Sequence, residues 1–298
     1  MVTLVLPTSQ RLARTAHLST TIPRAVFAES RPAVQLIFLM RSTVASGIVF
    51  HPSFRSLTGI FAWALITISI YVFNGVTDLT TDSANHSARP IASGLLGRST
   101  AITWCVALSA IGLGMCWYVS LAEFGLGVAM LTLGWAYSAG PSLKTSATGF
   151  AIVIGLGAAL TYAAGWAAGG RVTVHDLVLA LSISLWVGVC CAAKDFSDID
   201  GDRVAGRRTW PVVLGPRRAA HLLSVLAVAA SVIALWAAVQ LDATPLPALA
   251  LVVGSLTLAR VASKSANAPD RIARRRPYRY FVVAQYATNG AMLIAGAI

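Results

Sequence analysis

Six of the chain's eleven Asp and Glu residues sit in two short stretches of an otherwise apolar sequence. Residues 74–94 read NGVTDLTTDSANHSARPIASG and carry Asp78 and Asp82. Residues 194–209 read KDFSDIDGDRVAGRRT and carry Asp195, Asp198, Asp200 and Asp202. Carboxylates are expensive near a membrane, so such a concentration needs a physical reason. Asn74, Asp78 and Asp82 are spaced i, i+4, i+8; Asp195, Asp198 and Asp202 are spaced i, i+3, i+7. On a helix each trio lies along one face, and Asp200 falls on the opposite side. Two oxygen-rich faces turned toward each other would hold Mg²⁺, a hard cation that keeps several waters and bridges carboxylates to phosphate oxygens. Such a metal would neutralise a diphosphate and help it leave.

The elements that must position these residues are membrane spans. Of 298 residues, 56% are apolar and 11% charged, whereas soluble domains carry about a quarter charged residues. Apolar runs at residues 32–50, 57–73, 100–119, 122–139, 148–168, 177–193, 219–240, 246–262 and 279–297 predict an all-α, polytopic membrane protein of nine transmembrane helices. Their length and lack of alternation exclude barrel strands. With the N-terminus in the cytoplasm, every Lys and Arg except Arg41, Arg55 and Arg171 falls in a cytoplasmic segment. That bias predicts a cytoplasmic N-terminus, a C-terminus on the opposite side and both acidic stretches facing the cytoplasm. It also accounts for the net charge of +12 without a nucleic-acid partner. Residues 1–30, rich in Ser, Thr and Arg, read as a disordered or interfacial cytoplasmic arm, and residues 31–298 as the membrane domain.

The two acidic stretches are related. Each begins at the cytoplasmic end of an even-numbered span, with Asp78 and Asp198 120 positions apart, and each runs on into basic residues and a glycine. This pattern hints at an internal duplication. A third polar spot, Tyr137-Ser138-Ala139-Gly140-Pro141-Ser142-Leu143-Lys144, follows the fourth span. Lys144 reads equally well as a phosphate ligand and as a topology lysine, and Tyr137 as an interfacial anchor. Arg41, inside the first span, points to a polar cavity. The basic residues of 260–279 suit anionic lipid, with diphosphate capture as the other reading. Cys105, Cys116, Cys190 and Cys191 read as small buried hydrophobes. His51, His86, His175 and His221 lack metal-ligand spacing.

Taken together, these motifs resemble the UbiA-type intramembrane prenyltransferase superfamily. Asn74-x-x-x-Asp78-x-x-x-Asp82 with Arg89-Pro90 and Gly94 resembles its first signature. Lys194-Asp195-x-x-Asp198-x-x-Gly201-Asp202-Arg203, with Arg208-Thr209 and Leu214-Gly215, resembles its second. Tyr137-Ser138 with Pro141 and Lys144 is similar to the signature after the fourth helix, and Arg31-Pro32 to the family's start. One departure stands out: the first signature usually reads Asn-Asp-x-x-Asp, and here Gly75 replaces the first Asp.

The resemblance implies nine helices around a central cavity open toward lipid. It implies Mg²⁺ held by Asp78, Asp82, Asp198 and Asp202 with Asn74 and Asp195 assisting, and a prenyl diphosphate as substrate. Lys144, Arg89 and Arg203 or Arg208 would hold the phosphate oxygens, with Tyr137, Lys194 and Arg41 as further candidates. The expected reaction is transfer of the isoprenyl group to an aromatic or quinone-precursor-like small-molecule acceptor. The alternatives are a terpene cyclase, in which the chain captures its own cation, a membrane transporter, or an inactive lipid-binding scaffold.

Overall fold

The computed structural model describes residues 21–85 and 87–296; His86 and most of the N-terminal arm, with Arg11 and Arg14, lie outside them. Each of the nine apolar runs contains a helix: α2 (Pro32–Ser46), α3 (Phe54–Thr77), α5 (Arg98–Val119), α6 (Leu121–Ser138), α7 (Ala147–Ala168), α8 (Val174–Cys190), α11 (Pro216–Gln240), α12 (Leu246–Ser265) and α14 (Arg276–Ala295). Five shorter helices connect or precede them: α1 (residues 21–29), α4 (Leu79–Ala84), α9 (Ile199–Val204), α10 (Trp210–Leu214) and α13 (Arg271–Arg274). Among the described residues, six helices are long and apolar enough to cross a membrane: α3, α5, α7, α8 (extended to Ser197), α11 and α12. The other three fall outside for physical reasons. α2 has only 15 residues, α6 carries Glu123 in its first turn, and α14 opens on Arg276 and Arg279.

The long helices pack in chain order, and the ring closes where α14 meets α2. α2 also lies against α7 across the bundle. Apolar burial drives helices together weakly in lipid, so close backbone approach has to do the work. At the α7–α8 crossing the approach is between two glycines: a Cβ on Gly188 would sit 2.7 Å from the Ala151 carbonyl and 3.2 Å from the Gly155 Cα. Side-chain caps set where helices begin. Ser53, Ser120 and Ser146 accept from the backbone N–H three residues on, and Thr173 with Asp176 forms a reciprocal capping box. Exposed aromatics stand at both ends of the bundle, Phe54, Trp117 and Tyr118 at one and Trp135 and Tyr280 at the other, as expected of interface belts. The acidic motifs lie at the second of these ends.

Two local expectations change. α1 is not a loose arm: Val26, Glu29 and Ser30 are buried against the bundle. The acidic trios do not lie along continuous helical faces either. α3 stops at Thr77, Asp78 sits at the junction (φ −93°, ψ 7°), and Asp82 belongs to α4. α8 tightens into a 3₁₀ turn over Cys191–Ser197, Asp198 sits at the junction (φ −114°, ψ 10°), and Asp202 belongs to α9. Both motifs break at the same place, so each spreads its polar groups over two short axes.

Replacing Gly188 by Leu would force α7 and α8 apart. A loss of about 1–3 kcal/mol is expected, read as a lower melting temperature in detergent. Leu185→Ala, on the exposed side of α8, is expected to melt like the parent.

Candidate active site

The breaks at Asp78 and Asp198 turn both motifs toward each other at one end of the bundle. The Asn85 side-chain carbonyl accepts the Gly201 backbone N–H at 3.1 Å, tying the first motif to the second. A Cβ at residue 201 would overlap the Asn85 amide, so a larger residue there would displace the side chain that makes this tie. Asp78 is the hub. Its Oδ1 lies 2.5 Å from Arg207 Nη2 and 2.8 Å from Lys144 Nζ. Arg207 reaches on through Nη1 to Asp202 Oδ1 at 3.4 Å, and Thr209 donates to the other Asp202 oxygen at 3.3 Å. Lys144 also donates to Thr77 Oγ1 at 3.0 Å and lies over the Tyr137 ring.

Asp198 has its own cations: Lys194 at 3.4 Å and Arg271 at 3.2 Å. Arg271 also donates to the Ser197 carbonyl, so the 260–279 segment contributes directly to the second motif. Asp82 pairs with Arg89 at 2.8 Å. Asn74 donates to Ser138 Oγ at 3.2 Å, joining the first motif to the end of α6. Asp195 is buried, with Oδ2 lacking a hydrogen-bond partner. Asp200 is exposed and touches only Arg274 among the described ion pairs.

These neighbours set the charge states. Burial alone would push Asp78 up, but Arg207 and Lys144 hold its carboxyl well below the ordinary carboxylate range. Burial acts on Asp198 in the same way, yet Lys194 and nearby arginines bring it down to about 2. Asp202 goes the other way: burial outweighs Lys194 and Arg207 and raises it. Burial lowers Lys144, against the pull of Asp78.

Four of the expected residues change place or role. Arg203 and Arg208 are exposed, and Arg208 contributes backbone hydrogen bonds to Thr145 and Ala147. The arginine between the two motifs is Arg207, which spacing alone does not single out among its basic neighbours. Its backbone N–H bonds the Asp202 carbonyl, and that curl turns its side chain inward. Arg89 is engaged by two carboxylates, Glu29 and Asp82, and by the carbonyls of Glu29 and Tyr71. Arg41 does not reach the acidic end; it is buried in the bundle, donating to Gln285 Oε1 beside the Tyr162 ring.

A narrow cavity of about 120 Å³ runs inward from the motifs. Asn74, Lys194 and Arg31 line it at the polar end, Tyr71, Tyr137, Phe150, Tyr278 and Phe281 along it, and Arg41 with Gln285 deeper in. A larger cavity of about 810 Å³ at the far end of the bundle, beside His51 and Arg171, includes none of the motif residues. Among the described residues, no three His, Cys, Asp or Glu side chains converge as a ready-made metal cage. The donor set is all oxygen, with one buried carboxylate oxygen unpartnered at Asp195. That suits Mg²⁺, which is held by one or two carboxylates together with substrate phosphates.

The model of the UbiA prenyltransferase family matches residues 36–283. Digeranylgeranylglyceryl phosphate synthase of Methanoregula boonei is 28% identical over 227 residues, which are 72% of this chain and 78% of that protein. Chlorophyll synthase of Avena sativa is 32% identical over 148 residues, 46% of this chain and 39% of that protein; the chain thus spans well under two thirds of that relative. A UbiA homolog from Archaeoglobus fulgidus, bound to DMAPP and Mg²⁺, superposes with a TM-score of 0.68 at 21% identity, covering 89% of this chain and 99% of that one. At that identity the likeness speaks for the fold. From the match over most of its length, the chain belongs to the UbiA prenyltransferase family.

Proposed function

We propose that the chain catalyses Mg²⁺-dependent transfer of an isoprenyl group from an allylic prenyl diphosphate to an oxygen-bearing small-molecule acceptor of aromatic or quinone-precursor-like character, releasing diphosphate. The observation that carries this reading is that the two acidic motifs meet through Asp78, Lys144 and Arg207, beside an aromatic-lined cavity that Asn74 of the first motif and Lys194 of the second both line. The charge bias of the loops supports a cytoplasmic position for the motif end of the bundle.

Asp78, Asp82, Asp198 and Asp202 would hold Mg²⁺, with Asn74 and Asp195 assisting. When bound, the metal supplies positive charge to the diphosphate. Lys144 and Arg207, already at Asp78, turn to the phosphate oxygens and hold them; Lys194 and Arg271 do the same from Asp198. The allylic C–O bond breaks, and its electron pair leaves with the diphosphate. The cation left behind lies against the faces of Tyr71, Tyr137 and Tyr278, in a space that excludes water. The acceptor attacks the cationic carbon and gives up a proton.

Arg41 bears on the acceptor. Its Nε has no hydrogen-bond partner, and no carboxylate pairs with it among the described residues. A guanidinium so placed suits an acceptor that brings an oxygen of negative or partly negative charge.

The test is to incubate purified protein with Mg²⁺ and labelled C10–C20 prenyl diphosphates, without acceptor and then with aromatic and glycerol phosphate-type acceptors. Diphosphate and lipid products are read by mass. Coupled product formed only with an acceptor supports transfer; a cyclised hydrocarbon or alcohol formed without one overturns it in favour of a cyclase. Asp198→Asn and Asp202→Asn are each expected to abolish turnover in a folded protein, and wild-type rates in either would sink the two-motif mechanism.

A second pair of variants separates neighbouring arginines. Arg207→Ala removes the cation shared by two buried carboxylates, so it should lower turnover by about 100-fold and stability by about 3 kcal/mol. Arg208→Ala, at an exposed side chain, should change both little. Turnover assays and melting curves on the two proteins check this.

A further inference from the structure

At Gly75 the first motif lacks a side chain, and the space beside it is filled from another helix. A Cβ placed on Gly75 would overlap Oε1 of Glu29 and lie 2.8 Å from Arg89 Nη2. Glu29 stands at the end of α1, outside every apolar run and outside both motifs. It is fully buried, which a carboxyl tolerates only with partners. Its Oε1 lies 2.6 Å from Arg89 Nη2, and its Oε2 accepts the Ile91 backbone N–H at 2.9 Å.

Arg89 is thereby fixed from several sides. Nη2 also donates to the carbonyls of Glu29 and Tyr71, both at 3.2 Å. Its other terminal nitrogen, Nη1, donates to Asp82 Oδ2 at 2.8 Å. Asp82 therefore shares its guanidinium with a second carboxyl and does not hold it alone. Without Glu29, the whole charge of Arg89 would fall on Asp82 and compete with any metal there.

We infer that Glu29 is a positioning residue of the diphosphate–Mg²⁺ site: its side chain occupies the place of a carboxylate at residue 75 and, through Arg89, holds Asp82 in position. The inference rests on the prenyl-diphosphate reading above. It makes α1 a working part of the site and gives the glycine a reason. Aspartate at 75 and glutamate at 29 are alternatives for one space. Burial raises the Glu29 carboxyl above the ordinary range, against the pull of Arg89 and the Ile91 amide beside it.

The test uses the full chain and four variants: Glu29→Gln, Glu29→Ala, Gly75→Asp and the double variant Glu29→Ala/Gly75→Asp. Two quantities are read: the melting temperature in metal-free buffer, and the Mg²⁺ concentration that half-saturates binding of geranyl thiodiphosphate. Glu29→Gln keeps the shape and removes the charge; it should raise the half-saturating Mg²⁺ about tenfold, the usual range for partners of metal ligands. Gly75→Asp alone should lower the melting temperature and weaken binding, because two carboxyls then contend for one space and one guanidinium. The double variant should bind the probe better than either Glu29→Ala or Gly75→Asp.

Three results overturn the inference: a Glu29→Gln protein that melts lower yet keeps its Mg²⁺ dependence, a Gly75→Asp protein that matches wild type, or a double variant no better than the worse single one. Should wild-type protein bind no thiodiphosphate at any Mg²⁺ concentration, the prenyl-diphosphate reading itself fails and Glu29's role at that site falls with it. Wild-type binding without rescue in the double variant sinks the positioning role alone.

Discussion

Asp78 holds three parts of the chain together. Its carboxylate receives Lys144 from the segment after α6 and Arg207 from the segment after α9, while Asp78 itself ends α3. A buried carboxylate with two cations is stable where one with none would not be, so these segments cannot move independently. The pairing also fixes the cations. Charged side chains at the end of an apolar bundle would otherwise spread into the headgroup region. Held on Asp78, they stay at the end of the bundle where the two motifs meet, where a multiply charged diphosphate leaving group would need them. The ion pairs are thus both the structural tie and the preorganised electrostatics, and a diphosphate would compete for the same cations.

The two motifs show how one backbone device was used twice. In both, a long helix ends, a single aspartate takes a junction conformation near φ −100°, and a six-residue helix turns away. Five residues past the second aspartate, the chain curls back to its carbonyl in both cases: Ser87 N–H to Asp82 and Arg207 N–H to Asp202. The partners differ. The first motif draws its support from α1 through Glu29 and Arg89. The second draws it from α13 through Arg271 and Arg274. The repeat in the backbone is therefore closer than the repeat in the sequence, because the conformation needs only the junction and the turn, whereas each set of partners answers to what packs beside it.

Much of the fold was legible because the bilayer imposes a length and an apolarity on each helix. All nine apolar runs contain helices, and the acids at their ends meet as the even-numbered spacing requires. Lys144, left open between ligand and topology marker by its sequence context, is found on Asp78. What stayed hidden depended on contacts between distant segments. Arg203, Arg207 and Arg208 look alike in a row; which one turns inward is decided by the hydrogen bond that curls residue 207 back on Asp202. The continuous helical face expected for each trio failed because periodicity assumes an unbroken axis, and the junctions at Asp78 and Asp198 break it. Glu29 lies beyond the apolar pattern altogether, and only packing of α1 against α3 reveals it.

Arg41 sets a limit on how the far part of the cavity can work. A membrane-buried guanidinium with a neutral amide and a tyrosine ring as neighbours is under-compensated, whereas Lys144, Lys194, Arg207 and Arg271 are each paired with an aspartate. The cavity therefore has two kinds of positive site. At the mouth, positive charge is shared with carboxylates and, on the proposed reaction, would become available to an arriving diphosphate. Deeper in, Arg41 is held by Gln285 and by packing, with its Nε left without a hydrogen-bond partner. Between them lie only aromatic and aliphatic walls. On the proposed reaction, that arrangement would separate a charged leaving group from an oxygen-bearing acceptor by the space in which a cation would form, and it would set the order of polarity along the cavity without any residue having to move across it.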